Sequence, residues 1–580
     1  MSPPLSDTYE FGDFCLEAGK RLLLRRGVPV ALTPKVFDTL LYLVQHQGKV
    51  IAKDDLMRAV WPDTIVEENN LNQSISALRR ALGENRGENR YIATVPGRGY
   101  HFIPAVEVSA GLAQPNAGRV TVGVLPFHNL SADPDREYLA DGLTEEVIAA
   151  LGQIDPGHLS VIGRTTMMSY KHGKKTLAEI GHELDAAYLV ESSIRSELGR
   201  LRITSNLIRV PGQAQIWSMS YDSEPISMLE FQREISATIG QQVRLQLSPE
   251  RLSAIGRRQT RNAEAYDLYL RGRYFWNQLS PATTKRATEF FARATALDPR
   301  YALAWSGLAD AYTASPINGD APPLAVWPLA REAAAQAVKV GPAIAESQTS
   351  SGFVKFWLDW DWPAAEAAFR RGIDLDPHYP LAHRLLGIVL GHMGRHEEAA
   401  QAARRARELD PLLAGHHALS SQIAFLARDY TSALQFAKHS ITIDPEFWIG
   451  HMQLGQAYEQ LGDPKRALDA LNDAARLSGG NSKPISLRGY IFARTGRAQE
   501  AREALDMLQA VMPGRYVPGY ALALIHAGLG QHDQAFDWLG RAFEMRDVHL
   551  AFLPNDVKWD PLRQDPRFIS LLKRCGFATS

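Results

Sequence analysis

Residues 66–83 read VEENNLNQSISALRRALG and residues 91–102 read YIATVPGRGYHF. In the first run Leu71, Ile75, Leu78 and Leu82 recur at i, i+4, i+7 and i+11, one face of an α-helix. Glu67 and Glu68 suit the positive N-terminal end of that helix, and Gly83 stands where a C′ glycine belongs. Opposite the apolar stripe lie Asn69, Gln73, Ser76 and Arg80, with Asn70 beside them. These side chains hydrogen-bond to base edges or phosphates, and no long acidic side chain sits among them. The second run is two short β-segments around Pro96-Gly97-Arg98-Gly99, a hairpin that holds Arg98 at its tip.

A reading helix followed by a hairpin with a basic tip is what a winged helix-turn-helix needs, and the preceding residues supply the rest. Residues from Tyr9 to Ala31 alternate as short strands. In LTPKVFDTLLYLVQHQGKVIAKDDLMRAVWP (32–62), Thr33-Pro34 gives an N-cap and an N1 proline for a helix packing Val36, Phe37, Leu40, Leu41 and Val44. Leu56, Val60 and Trp61 form the face of a second helix, which Pro62 ends. Residues 9–103 as a whole resemble the DNA-binding domain of OmpR/PhoB-type transcription regulators. The resemblance implies that the helix with Asn69 to Arg80 enters the major groove of double-stranded DNA and that Arg98 reaches the adjacent minor groove. A narrow minor groove attracts an inserted arginine electrostatically.

At 580 residues and ordinary hydrophobic content, the chain has room for several domains with sizeable cores. Its formal net charge of −1 supplies no global basic field towards nucleic acid. Lys20, Arg21, Arg25, Arg26 and Lys35 are offset by acids such as Asp7, Glu10 and Asp13, which predicts modest affinity per monomer. Two cysteines, Cys15 and Cys575, read as buried thiols of a reducing compartment, although a disulfide is not barred. The N-terminus has no signal-peptide pattern, and no stretch approaches the ~18 apolar residues of a transmembrane helix. CadC-type relatives carry a membrane span after the winged helix. A linker stands in that place here, so a cytoplasmic protein without membrane contact is expected. No phosphoacceptor domain precedes the winged helix, so the input is expected from the C-terminal side.

We divide the chain into a winged helix-turn-helix over 1–108 and a linker over 109–119 (SAGLAQPNAGR from Ser109). From Val120 the pattern alternates: VTVGVLPF a buried strand, DGLTEEVIAALGQI a helix with Thr144 as N-cap, LSVIG a strand, TLAEIGHEL a helix. AYLVESSI, RLRITSNLIRV and QIWSMSY then read as strands and ISMLEFQREISATIGQQVRLQL as a closing helix. This predicts a small α/β domain over 120–250. It resembles the TolB-N-terminal-like (FlgO-like) domain through LPFHNLSADPDREYLADGLTEEV, VIGRTTMMSYK, IGHELDAAYLVESSIR and FQREIS. Ser192 departs from that pattern, which has glycine there. The carboxylates Asp133, Asp135, Asp141, Glu145 and Glu146 read as helix-end and loop charges rather than a metal site. Arg164, Lys171, His172, Lys174 and Lys175 read as a solvated loop rather than an anion site. There is no phosphate-binding loop, nucleophile–base pair or ligand set, so no enzyme, metal or cofactor is expected.

Over 264–547 the sequence repeats. Pro377, Pro411 and Pro445 lie 34 residues apart and Pro513 at twice that interval, while Pro299 and Pro342 close two earlier units. This is the tetratricopeptide (TPR) period and predicts an all-α solenoid of about eight repeats, closed by a helical cap over 548–580. Aligned units place Arg384, His392, Gln422, Gln456, Gln460, Lys483, Tyr490, Arg494 and Tyr520 along the concave groove. Such polar and aromatic groups suit an extended peptide of a protein partner, and equally suit intramolecular docking or a homo-oligomer. His416-His417 has no third ligand nearby in sequence. The function expected is a sequence-specific DNA-binding transcription regulator with a TPR sensor. The alternative is a TPR scaffold whose winged helix contacts protein.

Overall fold

The structure, a computed structural model, describes residues 8–577 apart from 110–119, most of 224–259 and short gaps, the longest being 62–67. The chain divides into two compact units, 1–119 and 120–580.

In the first unit β1 (Thr8–Phe11), β2 (Phe14–Glu17), β3 (Leu22–Arg25) and β4 (Val28–Val30) form an antiparallel sheet. It is completed by β8 (Glu107–Ser109) on β1, so Ser109 belongs to the domain and the rest of the expected linker lies outside the described residues. Then come α1 (Pro34–Gln45), β5 (Val50–Ala52), α2 (Lys53–Val60), α3 (Glu68–Ala81), β6 (Ile92–Val95) and β7 (Gly99–Phe102). Strand β7 lies between β5 and β6. Thr33 takes the N-cap position of α1 without a side-chain capping bond, so Pro34 is the signal that starts this helix. The core combines Phe37, Leu40, Leu56, Leu71, Ile75 and Leu78 with an aromatic cluster in which Phe11 meets Phe102 edge-on at 5.0 Å. Leu71, Ile75, Leu78 and Leu82 are all buried. At ~1.5–3 kcal/mol each, they hold a 14-residue helix that would be marginal alone.

The second unit opens with a sheet of order β11-β9-β12-β13-β14, from β9 (Val120–Val124), β11 (Leu159–Val161), β12 (Tyr188–Glu197), β13 (Arg200–Arg209) and β14 (Ala214–Ser223), with the short β10 (His128–Asn129) paired to β12. Strand β9 runs parallel to both neighbours, and the last three strands form an antiparallel meander. The helix predicted from Asp141 begins earlier, as α4 (Glu137–Ile154). Thr144 therefore does not cap it. Its buried hydroxyl bonds back to the Ala140 carbonyl at 2.8 Å and accepts from Phe127 N–H at 3.0 Å, because the residues before it continue the apolar face. Helices α5 (Arg164–Met168) and α6 (Leu177–Glu183) follow, the latter with a complete Thr176/Glu179 capping box. At the position where glycine was expected, Ser192 bonds to Ser205 across β12 and β13, both buried. The predicted closing helix lies largely outside the described residues.

From Ala263 to Glu544 the described helices form antiparallel pairs, from 263–276 with 281–297 through to 519–528 with 532–544. Alanines with almost no exposure, including Ala399, Ala433, Ala467 and Ala501, let the pairs close. A hydrogen bond recurs between repeats. The carbonyls of Pro299, Pro342, Pro377, Pro411 and Pro445 each pair with the side chain six residues on, Trp305, Gln348, His383, His417 and His451, at 2.8–3.0 Å. The sheet and the solenoid share one continuous apolar core.

Residues beyond 547 are two 3₁₀ turns (Val548–Phe552, Val557–Leu562) and a helix (Pro566–Arg574). They do not extend the stack but fold back along it. Trp362 stacks on Phe577 at 4.4 Å and donates to the Cys575 carbonyl at 3.1 Å. Arg546, just before the turn, stacks on Trp327 and Trp360 at 4.3 and 4.2 Å and donates to the Leu358 carbonyl. Cys575 is a free, buried thiol, pushed up to about 12 by burial. The side chain of Cys15 lies outside the described residues.

Candidate nucleic-acid interface and the solenoid lumen

With its apolar face in the core, α3 presents Asn70, Gln73, Ser76 and Arg80 exposed on the other side. Asn69 is also on α3, but its side chain is outside the described residues. Gly83, at φ +71°, ends the helix, with Glu84 N–H bonded to the Arg79 carbonyl at 2.8 Å. Arg98 is exposed at the turn between β6 and β7.

The link between helix and wing was not legible in the sequence. Arg79 donates from α3 to the Ile92 carbonyl and the Thr94 hydroxyl, both at 2.9 Å. Glu84 is buried and accepts from the backbone N–H of Arg90 and of Tyr91, the latter at 3.0 Å. The Tyr100 hydroxyl of β7 donates to Asn72 of α3 at 2.7 Å. The α3 helix and the wing are thus tied together by side-chain hydrogen bonds. The only hint lay in the types: an Arg beside the reading face and a Glu just past the helix end.

The nine groove candidates do not form one open groove. Arg384, Gln422, Gln456, Lys483 and Tyr520 line a single cavity of about 220 Å³ inside the solenoid. Gln460, Tyr490 and Arg494 are not among its lining: Gln460 bonds to Glu459, Tyr490 is buried and Arg494 is exposed. His392 is buried, with Nδ1 2.8 Å from the Ala551 carbonyl, and burial holds its pKa down to about 4. The tail occupies the mouth. Lys558 donates to Gln456 at 2.9 Å, Trp559 to the Tyr520 hydroxyl at 2.9 Å and Asn555 to the His392 carbonyl at 2.6 Å. Intramolecular docking has filled the face that the repeat alignment left free.

Solenoid and sheet meet at charged contacts. Asp410 accepts from Thr165 N–H at 3.2 Å and from Thr166 N–H and Oγ1 at 2.7 Å each, while Gly163 N–H bonds to the Leu409 carbonyl at 2.7 Å. Burial raises the Asp410 pKa against these bonds. Burial alone would also raise Glu145, but Arg273 and Arg164 outweigh it and hold this carboxyl below its ordinary range. Lys171 pairs with Glu137 and Asp141, and Lys175 with Glu183, so these cations are committed to carboxylates. Among the described residues no group of His, Cys, Asp and Glu could hold a metal, and no helix is long and apolar enough to cross a membrane.

These features define a DNA-binding transcription regulator with TPR repeats, built from a winged-helix domain, a strand-containing middle region and an all-helical array. Residues 27–102 match the family "Transcriptional regulatory protein, C terminal", and residues 361–414 and 422–482 match the tetratricopeptide repeat. The chain is similar to the transcriptional regulator HilA of Salmonella typhi, 25% identical over 70% of this chain and 72% of that protein. It is 30% identical to the putative adenylate cyclase 3 of Rhizobium meliloti (strain 1021), over 32% of each chain. The solved DNA-binding domain of Escherichia coli CadC is 32% identical, with 18% of this chain and 98% of that one covered and a TM-score of 0.17.

Proposed function

We propose that the protein is a sequence-specific regulator in which α3 reads the major groove and the wing reads the minor groove. The observation that carries this is the exposed face of Asn70, Gln73, Ser76 and Arg80 on a helix tied to the wing through Arg79 and Glu84. Asn69 is assigned to the same face, and Arg98 to the minor groove. A polar, acid-free helix face beside the exposed arginine of the wing suits base edges and phosphates better than the apolar patch of a protein interface. The near-neutral chain favours binding as a dimer or at adjacent sites.

The middle region, read as TolB-N-terminal-like, couples the solenoid to the rest of the chain. The solenoid receives the signal, from a protein partner or a second copy. A peptide that used the lumen would have to displace the tail, so the outer helical faces are the better surface for a folded partner. The cytoplasm, where the DNA is, is the compartment this function requires.

Selection of bound sequences from a random DNA pool by the full-length chain tests the reading, with Arg98→Ala in parallel. A reproducible motif, weakened in the variant, supports it. No enrichment even at low salt, where phosphate contacts are strongest, would replace it with the scaffold reading.

A further inference from the structure

The lumen that the tail closes is apolar over most of its wall, with Trp357, Leu385, Ile388, Phe425, Met452 and Phe552 among its lining. Its charged groups are unequal. Asp556 is neutralised by Lys558 at 3.0 Å, and the carboxylates nearest Lys483, Asp320 and Asp547, are engaged by Arg515 and His549. The Lys483 ammonium donates to the Ile317 carbonyl and lies 5.8 Å from the centre of the Trp448 ring, with no carboxylate within ion-pair distance among the described residues. Arg384 has no hydrogen bond and no carboxylate within ion-pair distance among the described residues. Burial lowers its pKa, and Asp310 and Asp410 act on it only through space.

A guanidinium has five donors, and leaving it unpaired away from water is costly. Two uncompensated cations on an apolar wall are complementary to an anion with an apolar body. We propose that the solenoid lumen is a binding site for an organic carboxylate with an apolar chain, its carboxylate on Arg384 and its chain along Leu385 and Ile388. Leu385 and Ile388 follow Arg384 on the same helix, 380–392, and line the same cavity. The tail argues for a small ligand over an extended peptide, because Asn555, Lys558 and Trp559 already take the polar positions along the mouth. Arg384 also lines the cavity at the junction with the sheet, which includes Arg164, Thr165 and Asp410. An anion drawn to it therefore acts where the solenoid grips the middle region. This site is independent of the DNA reading.

The test is calorimetry of the full-length chain with sodium decanoate, and with decyltrimethylammonium as a cation of matched chain, in the absence of DNA. Decanoate should bind one per chain and the cation should not. Arg384→Gln should weaken decanoate at least tenfold, and Ile388→Trp, which fills the lumen, should weaken it as much. Circular dichroism melts establish that each variant is folded; should Arg384→Gln fail to fold, the cation control and Ile388→Trp decide. Absence of decanoate binding, equal binding of the cation, or an unchanged affinity in a folded variant overturns the proposal.

Discussion

At the wing, Gly99 has φ +154°, and an added Cβ would stand 1.8 Å from the Ile51 carbonyl oxygen. Any side chain there must push β7 off β5. Gly99→Ala should destabilise the first unit by at least about 1–3 kcal/mol, read as a lower first melting transition; an unchanged transition would show that the strands can part freely. Gln73 is exposed on α3 with no hydrogen-bond partner among the described residues, so Gln73→Ala should relax discrimination at one base pair by about 1–3 kcal/mol. A binding-site selection with an unaltered preference removes Gln73 from the reading face. Arg98→Ala should weaken sites with A·T-rich flanks most, because it senses groove width; equal losses on all flanks would argue for a plain phosphate contact. In the second unit, burial lifts Asp310 from 3.8 to about 7. Between those values the folded chain keeps a proton that the unfolded chain has released, so this group's contribution is full at low pH and is lost as pH rises towards 7. Asp310→Asn removes the titration. Its stability relative to the parent should climb from pH 4 to 7, by at most roughly 4 kcal/mol. A pH-independent difference in denaturant midpoints counts against the shift.

Among the elements, α3 was the most legible, because its apolar spacing and its C-terminal glycine both lie in a local run of sequence. The start of α4 was not. Thr144 looks like a cap only if the residues before it are loop, and the packing of Tyr138 and Leu139 against the shared core decides otherwise. The solenoid's prolines were legible as punctuation, whereas the bond each proline carbonyl makes six residues on involves Trp, Gln or His and so leaves no fixed letter. It is one interaction made by three kinds of side chain. His417→Gln should therefore be tolerated, while His417→Ala should cost about 1 kcal/mol. Equal losses for both, in equilibrium unfolding, would mean that ring packing rather than the bond matters.

For the whole molecule, the 34-residue period, the alternating strands and the polar helix face are short-range patterns, and the sequence by itself determined the three kinds of architecture and the exposed polar face of α3 from them. Whether the concave face of the solenoid stays open is a long-range question. Asn555 meets His392, and Trp362 meets Phe577, across stretches with no shared pattern. Only the tertiary structure decided that the tail fills that face, that Asp410 joins the solenoid to α5 through Thr166, and that Arg384 has no counter-ion among the described residues. The physical reason is that periodicity records which side of an element is apolar, whereas the choice of partner for that side depends on chain return and on charges brought together from distant positions.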